Sequence, residues 1–166
     1  MFSIGDTIVY GNQGVFCIEA VTSQNIAGTV SDYFMLRSSF DNRTTIYVPC
    51  GNEKLLSRMR KILTQNEINV LIDSLPEEDD IWIENESQRK EEYKVIVSSG
   101  DRLKMLKLIR TLHNHRLNCQ KNGKKMHQSD ERLFKEAERL LYDEFALVLG
   151  IDKKDVVPYI VERLSK

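Results

Sequence analysis

The stretch Phe2-Ser3-Ile4-Gly5-Asp6-Thr7-Ile8-Val9-Tyr10, then Gly11-Asn12-Gln13-Gly14, then Val15-Phe16-Cys17-Ile18-Glu19-Ala20-Val21 decides how this 166-residue chain begins to fold. A Gly-Asp turn feeds a run of β-branched and aromatic residues, and the glycines permit the positive φ that a tight hairpin turn needs. Working outward, Tyr33-Phe34-Met35-Leu36-Arg37 is a third run of strand formers. Ser38 to Arg43, containing Asp41-Asn42, is a turn, and Thr44-Thr45-Ile46-Tyr47-Val48 is a fourth strand. Asn25 to Ser31, around Gly28, either adds a short strand or only connects. Four or five short strands in about fifty residues are too few for a sandwich and suit a small SH3- or Tudor-like barrel.

Pro49-Cys50-Gly51-Asn52 marks the boundary, because proline cannot continue a central strand and Asn52 is a good helix cap. The expected organisation is therefore α+β, with a Tudor/SH3-like β-barrel over residues 1–51 and an all-α domain over 52–166. Lys54 to Met59 reads as a short helix. Thr64-Gln65-Asn66-Glu67 is a capping box opening a helix with Ile68, Leu71, Ile72 and Leu75 on one face, ended before Pro76. A helix over Glu86 to Val97 follows, and Gly100-Asp101 supplies a left-handed stop and a new cap. The next helix, Arg102 to Cys119, buries Leu103, Leu106, either Ile109 or the stem of Arg110, Leu112 and Leu117. Ser129 is expected to cap a long helix reaching Gly150. Within Asp152 to Leu164, Pro158 either kinks the helix or lies in the first turn of one starting later.

No basic, apolar leader precedes Gly5, and no apolar run approaches the ~20 residues needed to span a bilayer. Cys17, Cys50 and Cys119 have neither disulfide nor zinc spacing, so a cytoplasmic setting is expected. His113, His115 and His127 have no matching cysteine or carboxylate spacing, Gly123-Lys124-Lys125 is not a phosphate-binding loop, and no G-x-S-x-G occurs. No enzyme, metal, cofactor, small-molecule substrate or membrane association is expected.

Charge is unevenly distributed. Residues 77–92 hold eight acids against Arg89 and Lys90, whereas residues 102–125 hold eight bases and no acid. Such a basic stretch either contacts a polyanion or pairs with the acidic segment inside the same protein. Trp82, the only tryptophan, lies in the acidic connection and either pins that loop to the helical core or packs on a partner, for instance as a wedge between bases. Arg89, Lys90 and Lys94, with Arg132, Lys135 and Arg139 on the later helix, are candidate phosphate contacts that would position DNA without reading its sequence.

Ile4-Gly5-Asp6-Thr7-Ile8-Val9-Tyr10-x-x-x-Gly14-Val15-x-x-Ile18-Glu19-Ala20 resembles the opening of the CarD/CdnL family of bacterial transcription regulators. The module is shared with the RNA polymerase-interacting domain of transcription-repair coupling factor. The likeness continues through Tyr33-Phe34-Met35-Leu36, Ile46-Tyr47-Val48-Pro49, Ser99-Gly100-Asp101 and Ser129-x-x-x-Leu133-x-x-x-Ala137-x-x-x-Leu141-x-x-Glu144-Phe145-Ala146. The resemblance implies a nucleoid-associated regulator whose barrel docks on the RNA polymerase β subunit and whose helical domain contacts promoter DNA at the upstream edge of the bubble. It puts Gln24, Asn25, Ile46 and Tyr47 at the polymerase and a tryptophan, here Trp82, in the minor groove. Arginines that contact polymerase in some members fall on Gln24 and Tyr47, and the family tryptophan commonly sits closer to the S-G-D motif. A protein–protein adaptor of the transcription machinery that does not bind DNA is the other reading.

Overall fold

φ is +51° at Gly11 and +116° at Gly14, and across this turn β1 (Thr7–Tyr10) reverses into β2 (Gly14–Ile26). The computed structural model describes residues 1–166. Beyond the first hairpin, β2 runs past Val21 to Ile26, and β3 (Thr29–Ser38) returns antiparallel to it with Ile26 opposite Thr29. Ala27 and Gly28 both have positive φ, the backbone a two-residue turn of the hairpin hand requires. The undecided stretch Asn25–Ser31 is thus the far end of one long hairpin. An alanine at the first left-handed position is a poor turn signal, which hides the connection in the sequence.

β4 (Thr45–Pro49) pairs with β3, and β5 (Met59–Lys61) pairs with β1, giving an antiparallel sheet of order β4-β3-β2-β1-β5. A bulge between Ile18 and Ala20 shifts the β2–β3 register. Ile8, Tyr10, Phe16, Ile18, Leu36, Val48 and Met59 form one buried cluster, so all five strands, including both edges, close over a single core. Asn52 does cap a helix, its Oδ1 accepting from Leu55 N at 3.1 Å, but α1 (Glu53–Leu56) stops three residues before Met59. Met59 instead lies opposite Tyr10 in β5, 4% exposed. This pairing ties residues 52–62 to the sheet, and the first compact unit is Met1–Ile62 rather than 1–51.

The second unit, Leu63–Lys166, is helical: α2 (Gln65–Ser74), α3 (Glu86–Ser99), α4 (Arg102–Lys121), α5 (Gln128–Leu149) and α6 (Val156–Leu164). The capping box is reciprocal, with Glu67 N donating to Thr64 Oγ1 and Thr64 N donating to Glu67 Oε2. A 3-10 turn containing Pro76 follows α2. Gly100 takes the left-handed position at φ +73°, and Asp101 caps α4 by accepting from Lys104 N. Ser129 is not the cap of α5. The helix starts at Gln128, two residues earlier than a Ser129 cap would place it, behind His127, whose side chain makes no cap bond. Pro158 lies in the first turn of α6, where its missing N–H costs no helical bond. Ile68, Ile72, Tyr93, Leu108, Leu112, Ala137, Leu141 and Phe145 centre the core. Leu117 is not in it: no residue of α4 after Leu112 is buried, and Leu117 is 44% exposed. No helix is long and apolar enough to cross a membrane.

Candidate protein and nucleic-acid interfaces

In the sheet unit, pairing register decides which candidate side chains share a face. Gln24 lies opposite Ser31, Asn25 opposite Val30, Ile46 opposite Leu36 and Tyr47 opposite Met35. Alternation along β3 puts Ser31 and Met35 on the face away from buried Leu36, so Gln24 and Tyr47 share the outer face. Tyr47 is 47% exposed, with its hydroxyl 3.7 Å from Met35 Sδ. Ile46 turns inward and packs against the sheet core, leaving its main chain on edge strand β4 as what it can offer a partner. From Ala20 to Ser31 there is no charged residue, while Ile26 and Val30 at the hairpin end are exposed.

In the helical unit, the segment leading into α3 is tied down group by group. Ile81 N donates to Thr111 Oγ1, and Tyr93 Oη donates to Ile81 O at 2.8 Å. Burial pushes the Tyr93 phenol up to about 12, so it keeps the proton this bond uses. Arg89 donates to Ile83 O and Glu84 O, and its Nε and Nη2 each meet one oxygen of Asp130 at 2.9 Å. Its side chain is 3% exposed. Arg89 is thus removed from the candidate phosphate contacts: it is a buried clamp joining α3, α5 and the 83–84 backbone.

Trp82 sits within this clamp. Its ring stacks on His115 with centroids 4.0 Å apart and planes at 24°, Arg89 Cζ lies 4.5 Å from its centroid, and its N–H donates to Glu84. The indole is half-buried against the helical core and lines an open cleft of about 420 Å³ with Asn114 and Asn118. Burial, foremost, holds the His115 imidazole below its ordinary pKa, favouring the neutral ring in the stack. Neither His115 nor Asp130 is marked in the sequence as a partner of this segment; a lone histidine and a first-turn aspartate carry no long-range signal.

Half of the basic stretch is answered from within. Arg102 binds Glu144, Lys107 binds Glu78, Arg110 binds Asp80 and the carbonyls of Leu75 and Glu78, and Arg116 binds Glu131. Lys104, Lys121, Lys124 and Lys125 make no ion pair. On α5, Arg132, Lys135 and Arg139 are exposed and fall on one outward stripe at i, i+3 and i+7, with Lys135 3.9 Å from Glu131. Lys90 and Lys94 are exposed on α3 among Glu86, Glu91 and Glu92, and Lys94 pairs with Glu91 at 3.6 Å. The structure therefore groups Arg132, Lys135 and Arg139, groups Lys90 and Lys94, and takes Arg89 inside.

Comparison with known proteins matches residues 2–63 to the CarD-like/TRCF RID domain and residues 69–161 to the C-terminal domain of CarD. The chain is also 26% identical over 163 residues to YdeB of Bacillus subtilis (strain 168), provisionally named a transcription factor. That alignment covers 94% of this chain and 97% of the relative.

Proposed function

Because the chain belongs to the CarD family of transcription regulators, we propose that its sheet unit docks on the RNA polymerase β subunit while its helical unit contacts promoter DNA at the upstream edge of the bubble, stabilising the open complex. One observation carries this reading: two family domains in series, matched over 2–63 and 69–161, follow two compact units, Met1–Ile62 and Leu63–Lys166, whose boundary in the chain lies within one residue of the end of the first match. The first of these domains implies interaction with RNA polymerase, and the family is one of interaction proteins rather than enzymes.

Physical features support the finer assignment. β4 is an edge strand, so its outward N–H and C=O groups can accept an added strand of the β subunit. Tyr47 and Gln24 on the outer face, with Asn25 near the hairpin end, would supply side-chain contacts of an uncharged kind. On the helical unit, the α5 stripe together with Lys90 and Lys94 suits phosphates, which fix position without reading sequence. Trp82, anchored through His115 and Arg89, would present its open edge as the wedge; unstacking a base step costs a few kcal/mol, which further DNA contacts offset.

The test uses the full chain. Capture of a polymerase β fragment, weakened by Tyr47→Ala, is the expected result, and no capture by the wild type would sink the partner assignment. Trp82→Ala is expected to shorten open-complex lifetime while leaving that capture intact; an unchanged lifetime removes Trp82 from the wedge role. The internal pairing of Arg102, Lys107, Arg110 and Arg116 favours a second reading, an adaptor that binds protein only. Association insensitive to salt, without DNA crosslinks, would select it.

A further inference from the structure

The cations left over from internal pairing are not evenly spread. Three of them, Lys121, Lys124 and Lys125, crowd the reversal between α4 and α5. The chain there closes by paired hydrogen bonds: Lys124 N donates to Cys119 O at 2.9 Å and Gly123 N donates to Gln120 O at 3.2 Å. Gly123 takes φ +64°, as this closure of a helix end demands. Consequently Lys124 and Lys125 are folded back beside the end of α4 instead of trailing away.

They line an open basin of about 560 Å³, together with Arg116, Gln120, Gln128 and Glu131. Glu131 is its one carboxylate, and Arg116 holds it at 2.8 Å while stacking 4.3 Å over Phe134. That pair cancels locally, so the wall offers two ammonium groups and two amide side chains with no competing acid. A helix C-terminus favours a base in its last turn, but Lys121 already fills that position. Lys124 and Lys125 lie beyond it and make no ion pair. The basin is many times the volume of a single phosphate group, and its openness suits a chain of phosphates better than one enclosed ion.

We infer that the α4–α5 turn is a second backbone-phosphate site for nucleic acid, centred on Lys124 and Lys125 and distinct from the α5 stripe. The inference rests on the DNA contact proposed above. Its test is binding of the full chain to forked promoter DNA across a salt series, comparing wild type with Lys124→Gln/Lys125→Gln and with Arg132→Gln/Lys135→Gln. Removing two phosphate contacts is expected to flatten the slope of log affinity against log salt by about one to two and to lower affinity roughly tenfold at low salt. Wild-type binding with a steep slope, matched in slope and affinity by Lys124→Gln/Lys125→Gln, overturns the site while leaving the function standing. Absence of wild-type binding overturns both. A parallel titration with inorganic phosphate alone separates the sources of the anion: phosphate binding that is weak and no different in Lys124→Gln/Lys125→Gln supports a backbone site, and saturable phosphate binding lost in that variant while its DNA affinity and salt slope stay those of wild type reassigns the basin to a free anion and overturns the inference.

Discussion

The Arg89 guanidinium donates to both oxygens of Asp130 and to two carbonyls in a place where its side chain is 3% exposed, so removing the carboxylate strands a cation away from water. Breaking a buried pair from one side costs about 3–5 kcal/mol, whereas replacing both members with apolar groups can be close to neutral. Asp130→Ala is therefore expected to lower unfolding free energy in urea by about that amount, and Arg89→Met/Asp130→Leu by much less. A second prediction concerns His115, faced by Trp82, Cys119, Arg89, Asp130, Glu84 and His127. Burial lowers its folded pKa below the unfolded value, so as pH falls through the ordinary histidine range the unfolded chain takes up the proton first. Stability contributed by the neutral ring is present above that range and declines below it. His115→Phe, which keeps an aromatic ring against Trp82, should flatten this decline in urea midpoints between pH 7.5 and 6; an unchanged slope would mean the ring is not the titrating group. At this scale the sequence is least legible: Arg89 reads as a surface base because its partner lies forty-one residues away in another helix.

Elements were legible where a local rule decides them. Thr64-Gln65-Asn66-Glu67 names a capping box in four letters, and the box is present with both hydrogen bonds. Thr64→Ala is expected to cost about 1 kcal/mol in urea unfolding at neutral pH. Hydrogen bonds from Thr64 also hold the Glu67 carboxyl below its ordinary range, so the stability tied to that carboxylate is present above its unfolded pKa and is lost as pH falls through the folded one. The Thr64→Ala deficit should accordingly shrink in acid. β5 obeys no local rule. Met59-Arg60-Lys61 is three residues long, has no alternation to detect, and becomes a strand because β1 offers it a free edge. The same limit applies to α5: serine is the better capping residue, yet the helix begins at Gln128, with Asp130 in its first turn bound to Arg89 across forty-one residues.

For the whole molecule, charge separates the two proposed tasks. The sheet unit would meet polymerase through an uncharged hairpin, an edge strand and Tyr47, contacts that release few counterions. The helical unit would meet DNA through exposed lysines and arginines, and each phosphate neutralised contributes about −0.9 to the slope of log affinity against log salt. The two associations should therefore part as salt rises. In an assembly of the full chain with polymerase and promoter DNA, protein–DNA crosslinks from the helical unit are expected to fall steeply between roughly 50 and 200 mM salt, where several phosphate contacts lose orders of magnitude in affinity. Retention of the chain on polymerase should change little over the same range. If both were lost together, the polymerase contact would itself be electrostatic and the uncharged hairpin and edge would not be its basis. If neither changed, the exposed cations of α5 and the α4–α5 turn would not be meeting phosphates, and the internal ion pairs of α4 would account for the chain's basic stretch.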